Sequence, residues 1–177
     1  TPVTGAEAAL TMPAAASATG TPAVVPAAPG GKNLTVSAEG TPAAATHASG
    51  TAYNDALKLK LTAGTDGDVT ITQLVVNRGG FASDSAFTGV GAFNLSTGKR
   101  HGNFVTFSDQ KATIPMASNP LIVPAGKTVE VMFRTNITAA AAGQTGTYNL
   151  SVLPAGITTT ATVSAPAPLM GATEALT

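Results

Sequence analysis

The 177-residue chain is long enough for one cored domain with an extension, carries 10% charged residues and has a formal net charge of +0. Its Lys and Arg residues are scattered singly, so no basic stripe is available to neutralise phosphates, and nucleic acid is not an expected partner. The absence of Cys excludes a disulfide framework and thiolate metal sites, while few aromatics among abundant Gly, Pro, Ser and Thr favour thin β-structure over helical bundles.

Residues Thr1–Thr11 read TPVTGAEAALT, and residues Ala167–Thr177 read APLMGATEALT. Pro, Gly, Ala, Ala, Leu and Thr fall in identical places, and Val3 and Leu169 are both apolar. An Ala- and Thr-rich chain matches itself somewhere by chance, but a match in register at both ends is a mark of repetition. Residue 1 is Thr, without a basic and apolar leader, so an export signal is expected to have been removed or never included; no apolar run reaches spanning length, and the mature form reads as soluble.

Met12–Lys32 carries four prolines and three glycines with no charge before Lys32, and neither helical nor strand periodicity. This composition makes a linker, and in extended form it would reach on the order of 60 Å. The chain thus divides into a strand-like terminal segment 1–11, an Ala/Pro/Gly-rich linker 12–32, and a sandwich over 33–177 that ends in a closing strand segment.

From Asn33 the pattern changes to short alternating strands separated by turn residues, which predicts an all-β, Ig-like β-sandwich. Strands are expected at Leu34–Ala38, Ala56–Thr62, Val69–Asn77, Val90–Leu95, Asn103–Phe107, Ala112–Ile114, Leu121–Val123, Thr128–Ile137, Thr147–Leu153 and Ala161–Ala165. Leu57, Leu59 and Leu61 alternate with Lys58 and Lys60, and Val129, Val131 and Phe133 alternate with Glu130, Met132 and Arg134, so these two strands should be central to the core. Thr65-Asp-Gly-Asp68 favours a hairpin, Pro124-Ala-Gly126 does the same before what reads as the longest strand, and Ala139–Ala142 is too short to nucleate a helix and reads as a loop.

Candidate chemistry is sparse. His47 and His101 are the only histidines, they sit in separate stretches, and a zinc site would need carboxylates from unrelated positions. No G-x-S-x-G elbow, triad context, P-loop or dinucleotide fingerprint is present, so an enzyme is not expected. Asp66 and Asp68 flank Gly67 and could bind calcium if Asp55, Asp84 or backbone carbonyls joined them, although a plain turn accounts for them equally well; no other cofactor is indicated. Four Asn-x-Ser/Thr sequons, at Asn33, Asn94, Asn136 and Asn149, are candidate glycosylation sites.

The stretch Leu59–Gly79, LKLTAGTDGDVTITQLVVNRG, resembles a repeated module of large secreted bacterial surface proteins, of S-layer or adhesin type. The likeness continues through Phe87–Leu95, Val123-Pro-Ala-Gly-Lys-Thr128, the Ala/Gly loop Ala139–Gly146 and Pro168-Leu-Met-Gly171, where such modules typically close. It implies a cell-surface or extracellular location and an Ig-like sandwich more than a named activity; the Ala/Pro-rich linker departs from the tight spacing of those modules.

Together these features predict a non-enzymatic structural subunit that polymerises with copies of itself into a filament or surface layer. The expected mechanism is strand donation by β-augmentation, with donor residues Val3, Ala9 and Leu10 and their counterparts Leu169 and Leu176, and an acceptor edge near Thr128–Ile137 and Thr147–Leu153. Two alternatives stand beside it: one module of a multi-domain adhesin or stalk, in which the echoed segments are junctions, and a carbohydrate- or calcium-binding accessory module. The last should present clustered exposed aromatics or a carboxylate loop, and the chain has no Trp and only two Tyr.

Overall fold

A computed structural model describes residues 32–141 and 143–177. In chain order the strands are β1 (Asn33–Ser37), β2 (Thr46–His47), β3 (Asn54–Ala63), β4 (Val69–Gly79), β5 (Phe87–Asn94), β6 (Arg100–Val105) and β7 (Lys111–Pro115). They continue as β8 (Leu121–Val123), β9 (Thr128–Ile137), β10 (Gly146–Thr159), β11 (Thr162–Ser164), β12 (Leu169–Met170) and β13 (Glu174–Leu176). One sheet has the order β11-β1-β3-β9-β5-β6, and the other β2-β13-β10-β4-β7, with β12 also on β10 and β8 also on β4. The fold is an all-β sandwich whose core lies between these sheets.

Alternation explains the first sheet. Leu57, Leu59 and Leu61 are fully buried while Lys58 and Lys60 stay half-buried, and the register sets Leu59 opposite Val131 on β9. Val129, Val131 and Phe133 turn into the core, and β3 and β9 occupy the two middle places of the sheet, as their patterns predicted. On the outer face Lys58 pairs with Glu130 at 3.3 Å and Lys60 with Glu39 at 3.3 Å. These exposed pairs each contribute little next to the apolar face they cover.

The second sheet breaks strict alternation at one point. Val69 and Ile71 face the core, and so do Leu74 and Val76, although Ile71 and Leu74 are three residues apart. The β10–β4 ladder absorbs the extra residue as an irregularity between Thr158 opposite Gln73 and Thr159 opposite Ile71. A second shift lies between Val152 and Ile157, where Pro154 on β10 could not have donated to the ladder.

Several sequence expectations need correction. Thr65–Asp68 is not a hairpin turn: β3 and β4 belong to different sheets, because β3 is already paired on both sides by β1 and β9. Pro124–Gly126 likewise carries the chain from β8 in one sheet to β9 in the other. The two corners brace one another, with Ala125 N–H donating to Asp68 Oδ1 at 2.9 Å and Gly126 N–H donating to the Gly64 carbonyl at 2.9 Å. The longest strand is β10, with 14 residues, and Ala139–Ala141 forms a 3-10 turn. A second such turn, Asp84–Ala86, was not anticipated, nor were β2, β12 and β13 as separate strands.

Candidate assembly site at the closing strand

The C-terminal half of the sequence echo is built into the second sheet. Leu169 and Met170 of β12 stand opposite Val152 and Ser151 of β10, and Gly171 N–H donates to the Leu150 carbonyl at 2.8 Å. Glu174, Ala175 and Leu176 of β13 stand opposite Tyr148, Thr147 and Gly146. On its other side β13 runs parallel to β2, with Ala175 N–H donating to the Ala45 carbonyl at 2.9 Å and Thr177 N–H donating to the His47 carbonyl at 3.1 Å. Within the closing segment β13 is therefore an interior strand held on both edges by main-chain hydrogen bonds, which is how an added strand gains affinity, while β12 pairs with β10 alone.

Its side chains fall into slots of defined shape. Leu169 is 3% and Leu176 4% exposed, and both belong to the core. Gly171 passes so close to β3 that a Cβ there would lie 2.1 Å from the Ala56 carbonyl oxygen, a position only glycine can occupy. Glu174 is fully buried: its Oε2 accepts from Ala45 N–H at 2.6 Å and faces His47 Nε2 at 3.2 Å, while Oε1 has no partner among the described residues. Tyr148 packs beside this carboxylate, its hydroxyl 3.0 Å from Thr135 Oγ1. Burial, reinforced by the Glu174 charge and opposed by the Thr135 hydrogen bond, pushes the Tyr148 hydroxyl up to about 12.

The expected acceptor edges are already occupied. β9 is paired by β3 and β5, and β10 is covered on one side by β4 and on the other by β12 and β13. Leu169 and Leu176 are thus places in a filled slot. Val3, Ala9 and Leu10, with the whole of Thr1–Thr11, lie outside the described residues.

The other candidate residues are dispersed. His47 is engaged with Glu174, and buried His101 places Nδ1 3.1 Å from the Asn119 carbonyl, away from β2 and in the other sheet. Asp68 braces the corner described above, and Lys32 Nζ donates to its carbonyl at 2.7 Å. Asp55 is paired with Arg134 on β9 and Asp84 with Arg78, so neither joins Asp66 and Asp68; among the described residues no group of three or more His, Cys, Asp or Glu is placed to hold a metal.

Among the sequons, Asn33 is exposed at the start of β1. Buried Asn94 accepts from Ser96 and Thr97 N–H, and the half-buried Asn136 accepts from Tyr53 N–H at 2.8 Å. Asn149 is half-buried on β10. Accessibility therefore favours Asn33 as a glycan acceptor.

One grouping escaped the sequence reading. Tyr53, Phe93 and Phe104 pack edge to face or tilted with centroids 5.8 to 5.9 Å apart, and Arg134 and Arg100 lie over Phe93 and Phe104 at 5.0 and 5.4 Å. The signal was invisible because the three rings come from three separate stretches of chain. The rings meet edge to face or tilted and two of them carry guanidinium groups, which fixes the cluster on the outer face of the first sheet, where Tyr53 is 57% exposed and Phe93 8%.

No family model matches the chain, and no curated protein matches it. Among solved structures, a chain in the crystal structure of a CaDoc0917–CaCohA2 complex at pH 5.5 is similar at a TM-score of 0.33 and 12% identity, covering 82% of this chain and 98% of that one. The sandwich assignment accordingly stands on the sheets themselves. No helix among the described residues is long and apolar enough to cross a membrane.

Proposed function

We propose that this protein is a non-enzymatic structural unit of an extracellular polymer, a filament or surface layer, whose copies are joined through the closing-strand site. The observation that carries the reading is that the echoed segment is built into the sandwich: Pro168–Thr177 holds β12 on the edge of β10 and β13 between β10 and β2, with buried anchors and an obligatory glycine, and its sequence pattern recurs at Pro2–Thr11. With two copies of the sequence pattern and one such slot among the described residues, one copy of the pattern is left over, and its head-to-tail use by a neighbour would generate an open series. Sedimentation velocity of the full chain tests this. Association should rise with concentration, and Leu10→Asp should suppress it by bringing an unpaired charge into an apolar slot; a monomer at every concentration would contradict the reading.

A second reading is favoured by the filling of the slot within the chain itself. In a tandem array of such modules, Thr1–Thr11 would close the slot of a preceding module, and the Ala/Pro-rich linker would join the two. The size of the native polypeptide under denaturing conditions separates the readings: a mass near that of this chain supports the polymer, and a mass of many modules supports the array.

A further inference from the structure

We infer that the slot between β10 and β2 takes either of two strands, its own Pro168–Thr177 or Thr1–Thr11 of a second copy of this chain, and that Glu174 sets the preference between them. The inference rests on the polymer reading and specifies its junction as a strand exchange. Aligning the two segments puts Pro2 at the place of Pro168, Val3 at Leu169, Gly5 at Gly171, Ala9 at Ala175 and Leu10 at Leu176. The apolar, glycine and main-chain demands of the slot are met by the second strand. The two apolar anchors are kept, and glycine recurs where a Cβ would strike the Ala56 carbonyl oxygen. Small Ala9 falls where Ala175 lies between Thr147 and Thr46. Main-chain pairing with β10 and β2 depends on no side chain and serves both strands alike.

The two strands differ at two buried positions: conservatively where Val3 would stand for Leu169, and in chemistry at Glu174. Where the closing strand has Glu174, the N-terminal segment has Ala8, with its own acid one place earlier at Glu7. Glu174 gives the cis strand two polar contacts, to Ala45 N–H and His47 Nε2, which the second strand lacks. It also buries a carboxylate with one oxygen unpartnered, a cost the second strand avoids. These two effects oppose one another, and both reside in one side chain. Reach is not limiting, because the linker at Met12–Lys32 spans on the order of 60 Å when extended. In a chain with one slot, the strand left over is free to enter the slot of another copy.

The chain has no Cys, so an engineered thiol pair reports occupancy of the slot directly. Ala175 is opposite Thr147 in the ladder, and Ala9 would take the same place. In the full-length Thr147→Cys, Ala175→Cys variant, mild oxidation should give a disulfide within one chain, which establishes that the pair is bridgeable. In the full-length Ala9→Cys, Thr147→Cys variant, oxidation should give disulfide-linked dimers and higher multimers. Adding Glu174→Ala should increase them several-fold, and adding Leu10→Asp should remove them. Free thiols in the Ala9→Cys, Thr147→Cys variant overturn exchange, as does a bridge confined to one chain or a ladder that survives Leu10→Asp. A ladder indifferent to Glu174→Ala overturns the role given to Glu174. If these variants still associate in sedimentation with their thiols free, exchange is wrong while the polymer reading stands; if they neither associate nor cross-link, both fail.

Discussion

Tyr148 and Asp84 couple the stability of the sandwich to pH from opposite directions. The Tyr148 hydroxyl is raised to about 12 from its ordinary 10.0, so its contribution is complete below pH 10 and is lost as pH rises through 12. Urea denaturation at stepped pH should show stability falling across that window, and Tyr148→Phe should flatten the fall. The same variant should lower stability near neutrality by about 1 kcal/mol, because Thr135 is left buried without its partner. For Asp84, burial alone would raise the carboxyl, but Gln110 N–H and the hydrogen bond and charge of Arg78 outweigh it and hold it below the ordinary 3.8. Its contribution is present above pH 3.8 and is lost as pH falls through the lowered value. Arg78 is 4% exposed and lies over Phe87 at 5.7 Å, so Asp84→Asn should strand a buried guanidinium and cost on the order of 3 kcal/mol at neutral pH. Thermal melts of the variant at pH 7 and pH 3 should therefore differ from the parent far more at pH 7.

At the scale of elements, the closing strand is the part of the sandwich most exposed to a single substitution. Gly171→Ala should destabilise the fold by about 1–3 kcal/mol, since the new Cβ meets main chain that cannot swing away. Hydrogen exchange should then quicken first at Gly171, Ala175 and Thr177, whose amides hold the segment to β10 and β2. This element also marks the boundary of what sequence reasoning could reach. β3 and β9 were legible because Leu57-Lys-Leu-Lys-Leu61 contrasts apolar with polar positions over several repeats and β9 keeps apolar residues at 129, 131 and 133 with Glu130 and Arg134 between or beside them, although Met132 on the opposite face is buried too. The closing strand could be suspected from its echo at Thr1–Thr11, yet β12 and β13 are two and three residues long, and no period can be read from such lengths. β2 is shorter than a repeat as well, and nothing in the sequence marks Glu174 as a buried acid. Which sheet a strand joins was equally hidden: Thr65–Asp68 has the chemistry of a hairpin turn, and only the prior pairing of β3 on both edges sends the chain across the sandwich.

For the whole molecule, a net charge of +0 and scattered ionic residues leave little for long-range electrostatics to do in assembly. Association through main-chain pairing and two apolar anchors should therefore change little between low and high salt, a comparison sedimentation can make directly. In the proposed assembly, each copy would offer one segment and receive one, a head-to-tail geometry that does not close on itself. Negative-stain electron microscopy of the full chain at rising concentration tests this account most directly. Unbranched fibres or an ordered layer that disappear in the Leu10→Asp variant are the predicted result. Isolated sandwich-sized particles at every concentration, or assemblies unchanged by Leu10→Asp, would contradict it.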